Sequence, residues 1–190
     1  MASFPPDLSS GLSYRDRYLS EGAAAALIEG IDANPWQTDL SRRVQHYGYR
    51  YDYKARRVGP ADRIGPLPEP FEDLADQLVE CGYFQAKPDQ VIVNEYLPGQ
   101  GISPHIDCAP CFGEVIASVS LLSSCVMRFE KGAERWDLVL QPLSLLVMRA
   151  QARWSWTHAI PARKNDMIDG GRVPRARRIS LTFRTMRLND

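Results

Sequence analysis

Asn94-Glu95-Tyr96-Leu97-Pro98-Gly99-Gln100-Gly101-Ile102-Ser103-Pro104-His105-Ile106-Asp107 decides how this chain is read. An extended apolar run, Gln90–Tyr96, meets the breaker Pro98-Gly99, and a second extended run, Ile102–Asp107, follows. Short strands cut by Gly and Pro mark a β-sandwich or barrel. His105 and Asp107 are two apart, so on a strand both side chains share one face and can converge on one point.

The pattern continues outward. After Pro88 the candidate strands are Gln90–Tyr96, Ile102–Asp107, Val115–Leu122, Cys125–Glu130, Trp136–Leu140, Ser144–Met148, Trp156–Ile160 and Arg178–Arg187. Turn signals such as Ser123-Ser124, Lys131-Gly132 and Gln141-Pro142 separate them. About eight such strands suit a double-stranded β-helix, the jelly roll. Ahead of this block Ser20 is placed to cap a helix running to Ile31, with Leu27, Ile28 and Ile31 on one face and Asn34-Pro35 as its stop. Phe71, Leu74, Ala75, Leu78 and Val79 predict a second amphipathic helix ending near Gly82. Between the helices, Tyr47, Tyr49, Tyr51 and Tyr53 recur with period two in Arg43–Lys54, which predicts a strand with these tyrosines on one face. Residues 59–70 hold four prolines and two glycines and read as a loop. Pro161–Ala176 is polar, basic and Gly- and Pro-containing, and reads as a mobile loop. Helices are expected only before the strand block. The expected organisation is a single domain, 1–190, mainly β with N-terminal helices: a helical and aromatic elaboration over 1–88 on a jelly-roll core over 89–190.

The chain has 190 residues, enough for a substantial core. Its 23 basic and 23 acidic side chains give a formal net charge of zero, which excludes whole-chain attraction to polyanions. Local charge is uneven. Arg149 to Arg187 contains ten Arg or Lys against Asp166 and Asp169, and Arg42 to Arg63 contains seven against Asp52 and Asp62. These stretches can meet as one cationic lip. No apolar run approaches a membrane span. Met1–Ser10 lacks a hydrophobic signal segment, so a cytoplasmic monomer without membrane attachment is expected. Cys81, Cys108, Cys111 and Cys125 do not suggest a disulfide framework, and the Cys108-x-x-Cys111 pair lacks two further zinc ligands; redox chemistry is the alternative for that pair, and thiols without a role are the expectation.

His158 is one of three histidines and lies on a predicted strand. With His105 and Asp107 it offers two imidazole nitrogens and one carboxylate oxygen. That is the facial triad of open non-haem Fe(II) sites, which leaves positions for a co-substrate and dioxygen. For each histidine alone, a hydrogen-bonded role in a sheet is the competing reading. Arg178 and Arg184, six apart, share a strand face and suit a small dicarboxylate, since guanidinium groups bind carboxylates bidentately. Asn94 and Tyr96 face one way on the first core strand and offer hydrogen bonds to a bound acid.

Val93-Asn94-Glu95-Tyr96-Leu97-Pro98-Gly99, His105-Ile106-Asp107, Trp156-Thr157-His158-Ala159-Ile160 and Arg178-Ile179-Ser180-Leu181-Thr182-Phe183-Arg184, in this order and spacing, resemble the AlkB family of Fe(II)- and 2-oxoglutarate-dependent dioxygenases. The resemblance implies Fe(II) on His105, Asp107 and His158. It implies 2-oxoglutarate on Asn94, Tyr96, Arg178 and Arg184, with Arg178 at the distal carboxylate and Arg184 near the metal-chelating end, and O2 as oxidant. It also implies a nucleotide-recognition lid over Arg42–Arg63. There His46, Tyr49, Tyr51 and Tyr53 become candidates for contact with a nucleobase, and Arg153, Arg163 and Lys164 candidates for phosphate. The implied partner is DNA or RNA, and the implied reaction is oxidative dealkylation of damaged bases. The alternatives are hydroxylation of a modified wobble uridine in tRNA, a protein hydroxylase, or a non-catalytic sensor of metal or oxoacid.

His46-Tyr47-Gly48-Tyr49 and Arg163-Lys164 are most similar to the branch of the eukaryotic tRNA-modifying homologue, without its fused domains or its cysteine-rich tail. Repair enzymes resembling the bacterial founder carry an acidic residue two positions after the metal Asp. Ala109 stands there, which sets this chain apart from the usual recognition of methylated adenine or cytosine.

Overall fold

Side-chain alternation sorts the core strands into two faces, and the two faces make two cores. The computed structural model describes residues 5–188, so the start of the Met1–Ser10 stretch lies outside the described residues. In chain order the elements are α1 (Pro6–Ser9), β1 (Leu12–Arg15), α2 (Glu21–Asp32), β2 (Arg43–Tyr47), a 3-10 turn (Pro60–Asp62), α3 (Glu69–Glu80), β3 (Gln90–Tyr96) and β4 (Ile102–His105). They continue with β5 (Phe112–Leu121), β6 (Cys125–Lys131), β7 (Glu134–Leu140), β8 (Leu145–Met148), α4 (Ala150–Trp154), β9 (Thr157–Ile160), β10 (Asn165–Ile168), β11 (Gly171–Pro174) and β12 (Arg178–Met186).

A six-stranded antiparallel sheet has the order β1-β8-β5-β12-β3-β2, and a four-stranded one the order β4-β9-β6-β7. On the outer face of the large sheet Val91, Val93, Ala117, Val119, Ile179, Leu181 and Phe183 pack against Leu27 and Ile31 of α2 and Phe71, Leu74 and Leu78 of α3. Each such fully buried aliphatic or aromatic side chain contributes about 2 kcal/mol. On the inner face Tyr96, Phe112, Ile116, Leu146 and Met148 meet Met127, Phe129, Leu140 and Ile160 of the smaller sheet. The jelly roll and the two helices are therefore as expected, and Ser20 Oγ caps α2 by accepting from Ala23 N at 3.2 Å.

Four expectations are corrected. The strand from Arg43 stops at Tyr47, because the chain turns at Gly48 with φ +78° and a Cβ there would lie 1.8 Å from the Asp89 carbonyl oxygen. The four tyrosines consequently separate. Tyr47 packs on Phe71 with ring centroids 4.7 Å apart, Tyr49 bridges to Arg63, and Tyr51 and Tyr53 meet edge to face at 5.0 Å. Pro161–Ala176 is not a loop throughout but carries the β10–β11 hairpin. Buried Asp166 anchors it, accepting from Arg163, Arg175 and the Val126 backbone N–H. A helix, α4, lies inside the strand block, where Gly11 lets the chain pass so closely that a Cβ would sit 2.1 Å from the Arg149 carbonyl oxygen. Cys108 and Cys111 are joined as a disulfide and are not the free thiols that the sequence suggests.

Candidate active site

His105 and His158 are direct cross-strand partners on β4 and β9, with ring centroids 4.3 Å apart. Gly101 permits this pairing, since a Cβ there would lie 2.2 Å from the Ile160 carbonyl oxygen. Asp107 follows β4 and turns back between the rings: its Oδ1 lies 3.4 Å from His105 Nε2 and 3.6 Å from His158 Nε2. One donor atom from each residue falls within 4.8 Å of the others. These edges approach the separation of about 3 Å expected for neighbouring ligands with metal bonds near 2.1 Å. His105 Nδ1 faces the Ser103 carbonyl oxygen at 2.8 Å, which places the proton on Nδ1 and leaves Nε2 as the donor atom.

The electrostatics favour metal binding. Burial opposes ionisation of Asp107, but the Arg184 guanidinium and the two imidazoles outweigh it and hold the carboxyl well below the usual carboxylate range. Burial lowers the His158 pKa and keeps the imidazole neutral. A carboxylate beside an imidazole whose burial disfavours its charged form suits a metal, which binds the deprotonated groups. Arg184 Nε donates to Asp107 Oδ2 at 2.8 Å, so the residue expected near the oxoacid also positions a ligand.

The inner face of β12 and its neighbours is polar. Arg178, Ser180, Thr182 and Arg184 alternate with the core residues of β12, and Ser118 and Ser120 do so on β5. Asn94 pairs with Ser180 and Tyr96 with Arg178 across the β3–β12 ladder. Arg178 is 2% exposed. Its Nη2 donates to Ser120 Oγ at 2.8 Å, and its guanidinium lies 5.5 Å from the Tyr96 ring centroid. Its Nε and Nη1 have no hydrogen-bond partner among the described residues. A buried cation with two unmet donors is costly unless an anion reaches it, so Arg178 fits a ligand carboxylate.

A cavity of about 580 Å³ joins the triad to Asn94, Tyr96, Ser118 and Ser180, while Arg178 and Ser120 lie outside its lining. The triad, Asn94, Tyr96, Ser180, Thr182 and Arg184 line its depth, and Arg42, Tyr51, Tyr53 and Arg56 line its N-terminal wall. That volume lies within the range of small-ligand sites. Arg42 Nε donates to Asn94 Oδ1 at 2.9 Å and lies 5.8 Å from the Tyr53 ring centroid. Sequence reasoning placed Arg42 in the lid but missed Ser118, Ser120, Ser180 and Thr182. The signal was present as polar residues alternating with Ala117, Val119, Leu121, Ile179 and Leu181 on strands otherwise built for a core.

Several expected contact residues lie elsewhere. His46 is buried behind Tyr53, 5.6 Å between centroids, with Nδ1 at 3.1 Å from Gln37 Oε1. Burial and nearby arginines, Arg50 first, push its pKa down to about 4, so it is a neutral support. Arg153 is 2% exposed and does not present itself to phosphate. It donates to the carbonyl oxygens of Asp107 and Gly113 at 3.0 and 3.3 Å, tying α4 to the loop that carries the metal-side carboxylate. Tyr49 is absent from the cavity lining. Much of the expected cationic lip is internally neutralised: Arg163 and Arg175 pair with Asp166, and Arg43 and Arg177 with Glu95.

A jelly roll presenting such a triad beneath a buried arginine defines the class of non-haem iron oxygenases. The family model described as the 2OG-Fe(II) oxygenase superfamily matches residues 18–184, and the chain belongs to that superfamily. It is a 2-oxoglutarate-dependent dioxygenase, with Fe(II), 2-oxoglutarate and O2 as its cofactor set.

Within the superfamily it is a homologue of the AlkB proteins. It is 36% identical to the "Uncharacterized protein L905" of Acanthamoeba polyphaga mimivirus over 93% of this chain and 85% of that protein. It is 32% identical to the "Alkylated DNA repair protein ALKBH8 homolog" of Arabidopsis thaliana over 93% of this chain and 58% of that one. It is 36% identical to the "tRNA (carboxymethyluridine(34)-5-O)-methyltransferase ALKBH8" of Macaca fascicularis over 86% of this chain. The chain spans 26% of that macaque relative. The solved structure of OsALKBH1 shares the fold, with a TM-score of 0.73 at 17% identity over 92% of this chain and 96% of that one. Among the described residues no helix is long and apolar enough to cross a membrane.

Proposed function

We propose that this chain oxidises a C–H bond on a nucleobase substituent, and that its reaction is oxidative dealkylation of damaged bases in DNA or RNA. The observation that carries the reading is one cavity continuous from the His–Asp–His cluster to a wall of two tyrosines and two arginines. Aromatic faces suit an unstacked base and guanidinium groups suit its phosphates. In this reading 1–190 acts as one catalytic domain, with a helical and lid elaboration over 1–88 and the jelly roll over 89–190. It acts as a cytoplasmic monomer.

The residues divide the work. His105, Asp107 and His158 hold iron. Arg178 takes the distal carboxylate of 2-oxoglutarate with the donors it leaves unpaired, and Asn94 and Tyr96 bind the same acid. Arg184 orients the Asp107 carboxylate beside the chelating end. Bound iron and 2-oxoglutarate together supply the oxidation: O2 is consumed, the oxoacid becomes succinate and CO2, and one oxygen atom enters a substrate C–H bond. Tyr51 and Tyr53 position the base, Arg42 and Arg56 its phosphates, and the apolar inner core excludes water. Hydroxylation at a carbon bonded to a base nitrogen gives a hemiaminal, which expels an aldehyde and restores the base.

A second reading, hydroxylation of a modified wobble uridine, is favoured by a specific observation: relatives named tRNA (carboxymethyluridine(34)-5-O)-methyltransferase match over 86% to 95% of this chain. Mass spectrometry of a treated oligonucleotide panel separates the two. Alkyl loss with aldehyde release supports dealkylation, and gain of one oxygen supports hydroxylation. Absence of succinate release across the whole panel overturns both.

A further inference from the structure

We propose that Cys108 and Cys111 form a reversible redox site that sets how tightly residues 51–57 are held over the cavity; this rests on reading that segment as a lid. The two cysteines follow the metal-side Asp107 directly and are joined as a disulfide with Cα atoms 5.3 Å apart. Both sulfurs face one atom of the lid, the Arg56 carbonyl oxygen, at 3.3 Å for Cys108 and 3.5 Å for Cys111. A disulfide has no proton to donate. Two thiols have, and once the sulfurs part on reduction a thiol beside Arg56 can donate to its carbonyl oxygen. Reduction therefore creates a tie between the loop after the triad and the lid, and oxidation removes it.

No other hydrogen bond to the lid's backbone competes with this tie among the described residues. The hydrogen bonds of the lid's backbone otherwise close on the segment itself, while the Tyr53 ring rests on His46 and Arg42: Asp52 and Arg57 exchange backbone hydrogen bonds, and Asp52 Oδ1 accepts from the amides of Lys54 and Ala55. Among the described residues the cysteine sulfurs are the polar atoms outside 51–57 that meet its backbone. Tyr51 adds a ring contact to Phe112, the residue after Cys111, at 5.4 Å between centroids. Cys108 lines the cavity, which gives small oxidants and reductants a route to an otherwise buried pair.

The chemistry balances with a peroxide as oxidant. One thiolate attacks a peroxide oxygen, the O–O bond breaks, and one water leaves after protonation. The second thiol attacks the resulting sulfenic acid, the S–S bond forms, and a second water leaves. Two sulfurs are oxidised by one electron each, and hydrogen peroxide is reduced to two waters. An external dithiol reverses the step through a mixed disulfide and is itself oxidised to a disulfide.

The test uses the whole protein without iron or substrate, so its failure is distinct from failure of the nucleobase reading. Protein reduced with dithiothreitol, then treated with hydrogen peroxide, then reduced again, is alkylated at each stage and mapped by mass spectrometry. Cys108 and Cys111 are expected to lose and regain alkylation together, with exposed Cys81 labelled throughout. Amide hydrogen exchange over residues 51–57 is expected to be several-fold faster in the disulfide form. The double variant Cys108→Ser/Cys111→Ser keeps two donors without a disulfide, and should show slow exchange whether or not peroxide is present. A pair still fully alkylated after peroxide, a bond that resists dithiothreitol, or equal exchange in the two wild-type forms overturns the proposal. The wild-type measurements decide it even if the double variant does not fold.

Discussion

Arg184 donates through Nε to Asp107 Oδ2 at 2.8 Å, which leaves Oδ1 turned toward both imidazoles at 3.4 and 3.6 Å. One guanidinium thus selects which carboxylate oxygen is offered to a metal and keeps it ionised.

Arg184→Gln should weaken metal affinity by on the order of 10- to 100-fold, the usual effect of removing an outer partner of a ligand. Titration with Fe(II) under anaerobic conditions measures it. Wild-type affinity in the variant would show that Arg184 does not orient the ligand.

His105→Ala should abolish succinate release while leaving the fold intact. Its side chain is 30% exposed and lies at the open side of the cluster, so truncation opens little core. Circular dichroism and thermal unfolding check the fold, and unchanged turnover would refute the ligand assignment.

Arg178→Met should have opposite effects on binding and on apo stability. Losing a charged hydrogen-bonding partner should weaken 2-oxoglutarate binding by roughly 10- to 100-fold. The same change removes a buried cation with two unmet donors, so the unliganded protein should melt at a higher temperature. Calorimetric binding and differential scanning measure the two arms. A lower apo melting temperature would mean that the guanidinium is satisfied in solution.

Arg153→Met should destabilise the protein by roughly 3 kcal/mol, since buried carbonyl oxygens lose a charged donor. Because Arg153 points inward to Asp107 and Gly113, the salt dependence of nucleic-acid binding should stay as in the wild type. A shallower salt slope would return Arg153 to the phosphate-contacting surface.

The pKa of His46 is pushed down to about 4 from its ordinary 6.5. Between those values the unfolded chain holds the proton and the folded chain does not, so stability falls as pH falls. The loss amounts to on the order of 3 kcal/mol across the window. Denaturant unfolding between pH 7 and pH 4 should therefore show a flatter profile for His46→Gln than for the wild type. Parallel profiles would show that His46 protonates in the folded state.

Helices α2 and α3 and the strand block were legible because each rests on local periodicity, whereas the triad was legible from residue type and from the resemblance. Ser20 capping and the apolar stripe of Phe71, Leu74, Ala75 and Leu78 each act within one helix, whereas Asp107 lies past the end of β4 and meets His105 through the turn of the chain. The tyrosine series failed because a period of two says nothing about whether a partner strand continues. Asp89 pressing on Gly48 ended the ladder, and residues far apart in sequence made that contact.

Residue type and spacing alone determined that this chain builds a jelly roll with two imidazoles and a carboxylate able to share one ion. Tertiary structure decided which cations remain available to a ligand. Arg153 and Arg178 are chemically equivalent in the chain, yet three backbone carbonyl oxygens absorb the first and two donors of the second stay unpaired. A guanidinium must be bonded wherever it is buried, and only the packed fold decides whether its partners are the protein's own or a ligand's.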